Sequence, residues 1–349
     1  MRLLKKIILF PLFLIIPLAG ILYAYVQLSA RDFTDAELAE IKTAIEAPLE
    51  NMVGDEGYAV NDGVRIWYDV HQPKDTLKGT VMLIMGLSAD ALIWPDYFYQ
   101  PFVDSGYQVI RLDNRGVGNS DWDAFDSDNP YSLSDMSDDV IAVLDTLGIA
   151  KAHIVGASMG GMIGQTLCIE HPERVATLTS IMSTAWTEDP EMPAIDLNIF
   201  KHIGINTIKY GLSGEIEDGV KLRIAIRELL MGAEKYELDI NGITQLTRTN
   251  LEKRSGYNQK SGMQQTKAIE LSGSRIDALK KLDIPTLIVH GITDPLIPFD
   301  HGVKTAELIP NAQTLWIDGM GHTLPLIYSK TITERMIDFM HSSTNPTEQ

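Results

Sequence analysis

The sequence predicts an α/β protein: a mostly parallel sheet with helices on both faces and a helical segment inserted late in the chain. Three observations predict it. Short continuous apolar runs at Thr80–Met85, Tyr107–Leu112, Ala152–Val155, Val175–Met182, Pro285–His290 and Gln313–Ile317 alternate with helix-like segments. Strands with no polar face belong to a sheet covered on both sides. The stretch Gly156-Ala157-Ser158-Met159-Gly160 joins one such run to a small-residue helical stretch. The rhythm then stops between about 185 and 271, a region rich in helix formers and Met with no strong strand run.

Taken in order, the chain begins with a candidate membrane segment, 1–30. Residues Ile7 to Val26 are about twenty nearly uninterrupted apolar residues without a charge, enough helix to cross a bilayer core of roughly 30 Å. Arg2, Lys5 and Lys6 precede it and acidic residues follow it, so the rest of the chain is expected on the non-cytoplasmic side, periplasmic or extracellular. The alternative is a cleaved signal peptide and a secreted protein. The run exceeds the usual apolar length of such peptides, and Leu28-Ser29-Ala30 is a poor cleavage site.

A linker with a juxtamembrane helix fills 31–56. Thr34-Asp35-Ala36-Glu37 reads as a capping box, followed by Leu38, Ile41, Ile45 and Leu49 at helical spacing. This helix is expected to lie on the main domain. That domain is placed at 57–342. It opens with a hairpin turned at Asn61-Asp62-Gly63, whose second arm, Val64–Val70, alternates as a half-buried strand. Met136, Val140, Val143, Leu144 and Leu147 mark a helix packed on the sheet, and Ile216, Val220 and Ile224 mark one in the inserted region, a cap expected at about 185–271. A polar tail, 343–349, is expected to be disordered.

The chain has 349 residues and a formal net charge of −18, from 29 basic and 47 acidic residues. Nucleic-acid binding, which rests on basic neutralisation of phosphates, is excluded as the expected role. Cys168 is the only cysteine, so no intrachain disulfide forms. It reads as a small buried hydrophobe.

The chemistry centres on Ser158. A Gly-x-Ser-x-Gly between strand and helix is a nucleophile elbow: Gly156 and Gly160 make room for a sharp turn that leaves one hydroxyl exposed. A serine hydroxyl needs a general base, and the base needs an orienting acid. Two later strand ends supply them. The run ending at His290 leads into Gly291-Ile292-Thr293-Asp294, and the run ending near Ile317 leads into Asp318-Gly319-Met320-Gly321-His322. Asp294 is the candidate acid and His322 the candidate base. His290 and His153 are read as packed, His171 as a helix end, Asp300 as a helix cap, and Asp318 as a weaker acid candidate. Ser183-Thr184 follow the sixth main-sheet strand, where an acid would be an alternative. Two backbone N–H groups are expected to stabilise an oxyanion, those of Met159 and Leu87, the latter in the loop Met85-Gly86-Leu87-Ser88-Ala89.

These motifs, with Asp113-Asn114-Arg115-Gly116-Val117-Gly118-Asn119-Ser120, resemble the α/β-hydrolase superfamily from Gly57 to near Met340. The branch most similar is the carboxylesterase and methylesterase group that includes aclacinomycin methylesterase, in which Met-Gly often replaces His-Gly before the oxyanion loop, as at Met85-Gly86. The resemblance implies an eight-stranded sheet and a structural turn at Asp113–Ser120. It also implies hydrolysis of a small-molecule carboxylic ester through an acyl-enzyme, without metal or organic cofactor. Carbon–carbon bond, amide and perhydrolase chemistry use the same triad and stay open, as does a non-catalytic binding role. An aspartate-nucleophile mechanism does not fit Ser158.

Overall fold

Eight strands form one sheet in the order β1-β2-β4-β3-β5-β6-β7-β8 in the computed structural model, which describes residues 20–123 and 130–344. The strands are β1 (Asp55–Asn61), β2 (Val64–His71), β3 (Gly79–Ile84), β4 (Tyr107–Leu112), β5 (Ala152–Ala157), β6 (Val175–Ile181), β7 (Thr286–Gly291) and β8 (Gln313–Ile317). β2 pairs antiparallel with β1 and with β4; every other neighbouring pair is parallel. The hairpin between β1 and β2 turns through Asp62 and Gly63, both at positive φ, as a tight two-residue connection demands.

The apolar runs become strands because both sheet faces are covered. On one face Phe98 and Phe102 of α3 (Asp96–Asp104) and Met336 and Phe339 of α12 (Leu326–Thr344) pack on Val81, Leu83, Val155 and Val289. On the other, Val140 and Leu144 of α4 (Leu133–Thr146) and Ile163 and Leu167 of α5 (Met159–Glu170) pack on Met82, Ile84 and Ile154. β2 departs from the expected alternation: Ile66 to Val70 are all buried. Its second face is covered by charged and aromatic side chains together, with the Tyr99 ring against Arg111 and His71. Arg254 lies over the Trp67 ring at 4.4 Å, and Asp69 pairs with Arg111.

The chain divides into two compact units. The larger comprises Leu49–Ile195, Leu230–Glu237 and Arg248 onward, and holds the whole sheet. The smaller comprises the chain up to Pro48, Asp196–Leu229 and Leu238–Thr247. Its helices are α1 (described at 20–29), α2 (Asp35–Glu46), α6 (Leu197–Tyr210), α7 (Ile216–Leu229) and the first turns of α8 (Ile240–Lys253). Ile41 of α2 joins Val220, Ile224, Ile240 and Ile243 in its own small core. Thr34 caps α2 through the reciprocal bonds expected with Glu37. The region 185–271 is thus shared between the units: residues 196–229 and 238–247 fall in the smaller, the rest in the larger, where α9 (Ser261–Ser272) lies.

Most of the expected membrane span, Ile7–Val26, lies outside the described residues. No helix among the described residues is long and apolar enough to cross a membrane. At the other end α12 continues to Thr344, so Ser343 and Thr344 are helical rather than disordered, their turn closed by the Thr344 hydroxyl donating to Met340 O at 2.9 Å. The remainder of the tail lies outside the described residues.

Candidate active site

Ser158 makes the turn from β5 to α5 alone. Its backbone sits at φ 55°, ψ −121°, a region that costs a non-glycine residue on the order of 1–3 kcal/mol. The turn leaves no room for side chains around it. A Cβ on Gly156 would overlap the Gly160 carbonyl, and one on Gly160 would overlap the carbonyl of Ile84. The Ser158 N–H donates to Ile181 O at 2.9 Å, and the Ser183 hydroxyl donates to Ser158 O at 2.8 Å. These bonds pin the strained residue to the end of β6. The Ser158 side chain is partly exposed.

Asp294 and His322 come together from the ends of β7 and β8, which are neighbours. His322 Nδ1 lies 2.7 Å from Asp294 Oδ2. With an acceptor carboxylate there, Nδ1 carries the proton and Nε2 presents its lone pair. The second carboxylate oxygen, Oδ1, accepts the N–H groups of Leu296 at 2.8 Å and Ile297 at 2.9 Å. Both side chains are buried. Burial alone would raise the Asp294 pKa; the facing His322 imidazole and these N–H donors outweigh it and hold the carboxyl below its ordinary value. No hydrogen bond joins Ser158 to His322 among the described residues.

A second histidine stands behind the acid. His290, fully buried at the end of β7, places Nε2 3.0 Å from Ile297 O and 3.5 Å from Asp294 Oδ2. Burial lowers its pKa, and its position beside the carboxylate adds to the interactions that hold the Asp294 pKa down.

The loop after β3 approaches the serine closely. A Cβ on Gly86 would lie 3.0 Å from Ser158 Cβ and 3.5 Å from its Oγ. The next N–H, that of Leu87, makes no backbone hydrogen bond among the described residues, nor does the Met159 N–H at the start of α5. Ser88, at φ 57°, gives its N–H to Gln265 Oε1 at 2.7 Å, and Ala89 N–H returns to Gly86 O at 3.2 Å. The loop is fixed by its neighbours while Leu87 N–H is left over.

The other sequence candidates are engaged elsewhere. Asp113 is fully buried and accepts the N–H groups of Ala91 and Asn119 together with the Arg254 guanidinium. Burial pushes its pKa up to about 6. His153 bonds Thr177 and is buried; His171 meets Asp138 at 2.8 Å. Asp318 accepts the Gly319 N–H in its own turn. Asp300 does not cap: α11 (Phe299–Leu308) is preceded by Pro298, and Asp300 lies inside its first turn. Cys168 is buried and its pKa is pushed up by burial. Residues that sequence reasoning missed are Thr293 and Leu230–Glu237, which bond the loops carrying Asp294 and His322. Their one visible sign was Gly232 breaking a helix-rich stretch.

Rhodomycin D methylesterase of Streptomyces peucetius is 28% identical over 279 residues, covering 76% of this chain and 91% of that protein. An esterase from Exiguobacterium antarcticum superposes with a TM-score of 0.65 at 21% identity, covering 83% of this chain and all of the other. A membrane phospholipase A, described as a bacterial virulence factor, superposes with a TM-score of 0.61 at 20% identity and covers 98% of this chain and 99% of its own. The model of the alpha/beta hydrolase fold family matches residues 79–326, a span that holds the serine elbow, the Asp294–His322 pair and the Gly86 loop: the chain belongs to that family.

Proposed function

We propose that this chain is a serine hydrolase that cleaves carboxylic esters through an acyl-enzyme. The observation that carries the reading is the strained Ser158 turn set beside two unengaged N–H groups, with a base oriented by a buried carboxylate two strands away. In this reading Ser158 Oγ attacks the ester carbonyl carbon as its proton passes to His322 Nε2. The carbonyl oxygen becomes an oxyanion and takes the N–H groups of Leu87 and Met159. The alcohol leaves with the proton from His322. Water then attacks the acyl carbon, gives a proton to the same nitrogen, and the acid departs as Ser158 recovers its hydrogen. Asp294 holds the imidazole in the Nδ1–H tautomer and stabilises its protonated form. The methylesterase relative supports the choice of ester over other chemistries of this triad.

The N-terminal segment Ile7–Val26 is proposed as a membrane anchor that leaves the catalytic unit on the non-cytoplasmic side. The uncharged apolar run behind Arg2, Lys5 and Lys6 supports it. So does the full-length likeness to a membrane phospholipase A. Retention in the membrane fraction after a carbonate wash is expected; a shortened soluble form would argue for cleavage. The activity is tested with full-length protein on p-nitrophenyl esters from acetate to palmitate and on phosphatidylcholine. Hydrolysis that disappears in Ser158→Ala is expected. Turnover of amides or ring-cleavage diketones but of no ester would contradict the reading.

A further inference from the structure

The segment Leu230–Glu237 contributes no reacting group, yet it is bonded to the loops that carry both the acid and the base. His322 N–H donates to Leu230 O at 2.8 Å, and Glu234 N–H donates to Gly319 O at 3.2 Å. Ala233 N–H donates to Thr293 Oγ1 at 2.8 Å. The Thr293 hydroxyl donates in turn to Met320 O at 3.2 Å, and Thr293 N–H reaches the same oxygen at 3.3 Å. The hydroxyls of Tyr236 and Thr323 meet at 2.6 Å. The fit allows no slack. A Cβ on Gly232 would overlap Gly319 O and Thr293 Oγ1, and one on Gly321 would overlap Gly232 N and Leu230 O.

We propose that Thr293, working with Leu230–Glu237, is a positioning residue for His322. One hydroxyl joins three stretches of backbone: the acid loop, the base loop and the segment behind them. Thr293 precedes Asp294 directly, and Met320 stands two residues before His322. The joint therefore fixes both ends of the 2.7 Å contact between carboxylate and imidazole. Thr293 touches no reacting atom and acts only through the placement of its neighbours. A misplacement of about 1 Å costs on the order of 100-fold in rate. The inference rests on the reading of Ser158, Asp294 and His322 as a triad.

The test uses the full chain with Thr293→Val, Thr293→Ser and Tyr236→Phe. It measures kcat and KM on p-nitrophenyl butyrate, the thermal midpoint, and the low-field proton resonance of His322 Nδ1–H. Thr293→Val is expected to lower kcat roughly 10- to 100-fold with KM little changed and to shift the resonance, and Thr293→Ser to restore both. Tyr236→Phe, which keeps the Thr293 joint, is expected to lower kcat less and serves if Thr293→Val fails to fold. A folded Thr293→Val with wild-type kcat and resonance would overturn the proposal, as would Thr293→Ser as slow as Thr293→Val, or an unaltered Tyr236→Phe where Thr293→Val does not fold. If Ser158→Ala retains full hydrolysis, the triad reading fails separately. The positioning role then stands on a resonance that moves in Thr293→Val and returns in Thr293→Ser, and falls if the resonance does not move.

Discussion

At the scale of single residues, Asp294 divides its two oxygens between two tasks. Oδ1 is held by the N–H groups of its own loop, and Oδ2 faces His322. Asp294→Asn keeps the shape but offers an amide where a carboxylate selected the tautomer. Its kcat is expected to fall about 10⁴-fold, with a far smaller change in KM, in steady-state assays of the full chain. Ser158, Asp294 and His322 could be placed from sequence because each follows a continuous apolar run, and a strand's end fixes where its next few residues stand. Thr293 could not, because its hydroxyl acts on backbone groups 27 and 60 residues away in sequence, and such partners leave no local pattern.

At the scale of elements, the β5–Ser158–α5 turn is set by steric exclusion. Gly160→Ala would drive a methyl group into the carbonyl of Ile84, so either the elbow or β3 must shift. An unfolding free energy lower by about 1–3 kcal/mol is expected by denaturant titration. Ester hydrolysis should fall by roughly 100-fold or more; a variant with wild-type activity would show that the turn tolerates the change. The strands were legible to within two residues because their apolar runs are unbroken. β2 was misjudged as half-buried because its second face carries Asp69, buried against Arg111, and a charged residue within a strand reads as solvent-facing in a hydropathy pattern.

At the scale of the whole molecule, buried charge sets the response to acid. Asp69 joins β2 to β4 through Arg111, with Arg111 Nε 3.0 Å from Oδ1. Burial would raise the Asp69 pKa, but His71 and Arg111 overcome it and hold the carboxyl well below its ordinary value. A depressed carboxyl contributes stability that is present above its unfolded value near 4 and lost as pH falls below it. Asp69→Asn is expected to cost about 3–5 kcal/mol at pH 7 by stranding Arg111, with the gap to wild type narrowing below about pH 4. Asp113 runs the other way: with its pKa pushed up to about 6, it favours the folded state as pH falls from about 6 to about 4. The division into two units was the least legible feature. α2 was expected to lie on the main domain, placed at 57–342, and its Ile41 packs with residues of that span between Ile216 and Ile243; amphipathic spacing reveals a buried face without naming its partner.

The most direct test of the central claim is covalent labelling of the full-length protein by a fluorophosphonate, read by intact mass and peptide mapping. The account predicts one adduct per chain, on Ser158, absent in Ser158→Ala and slowed by orders of magnitude in His322→Ala. A folded wild-type chain that takes up no label, or takes it up on another residue, would contradict it.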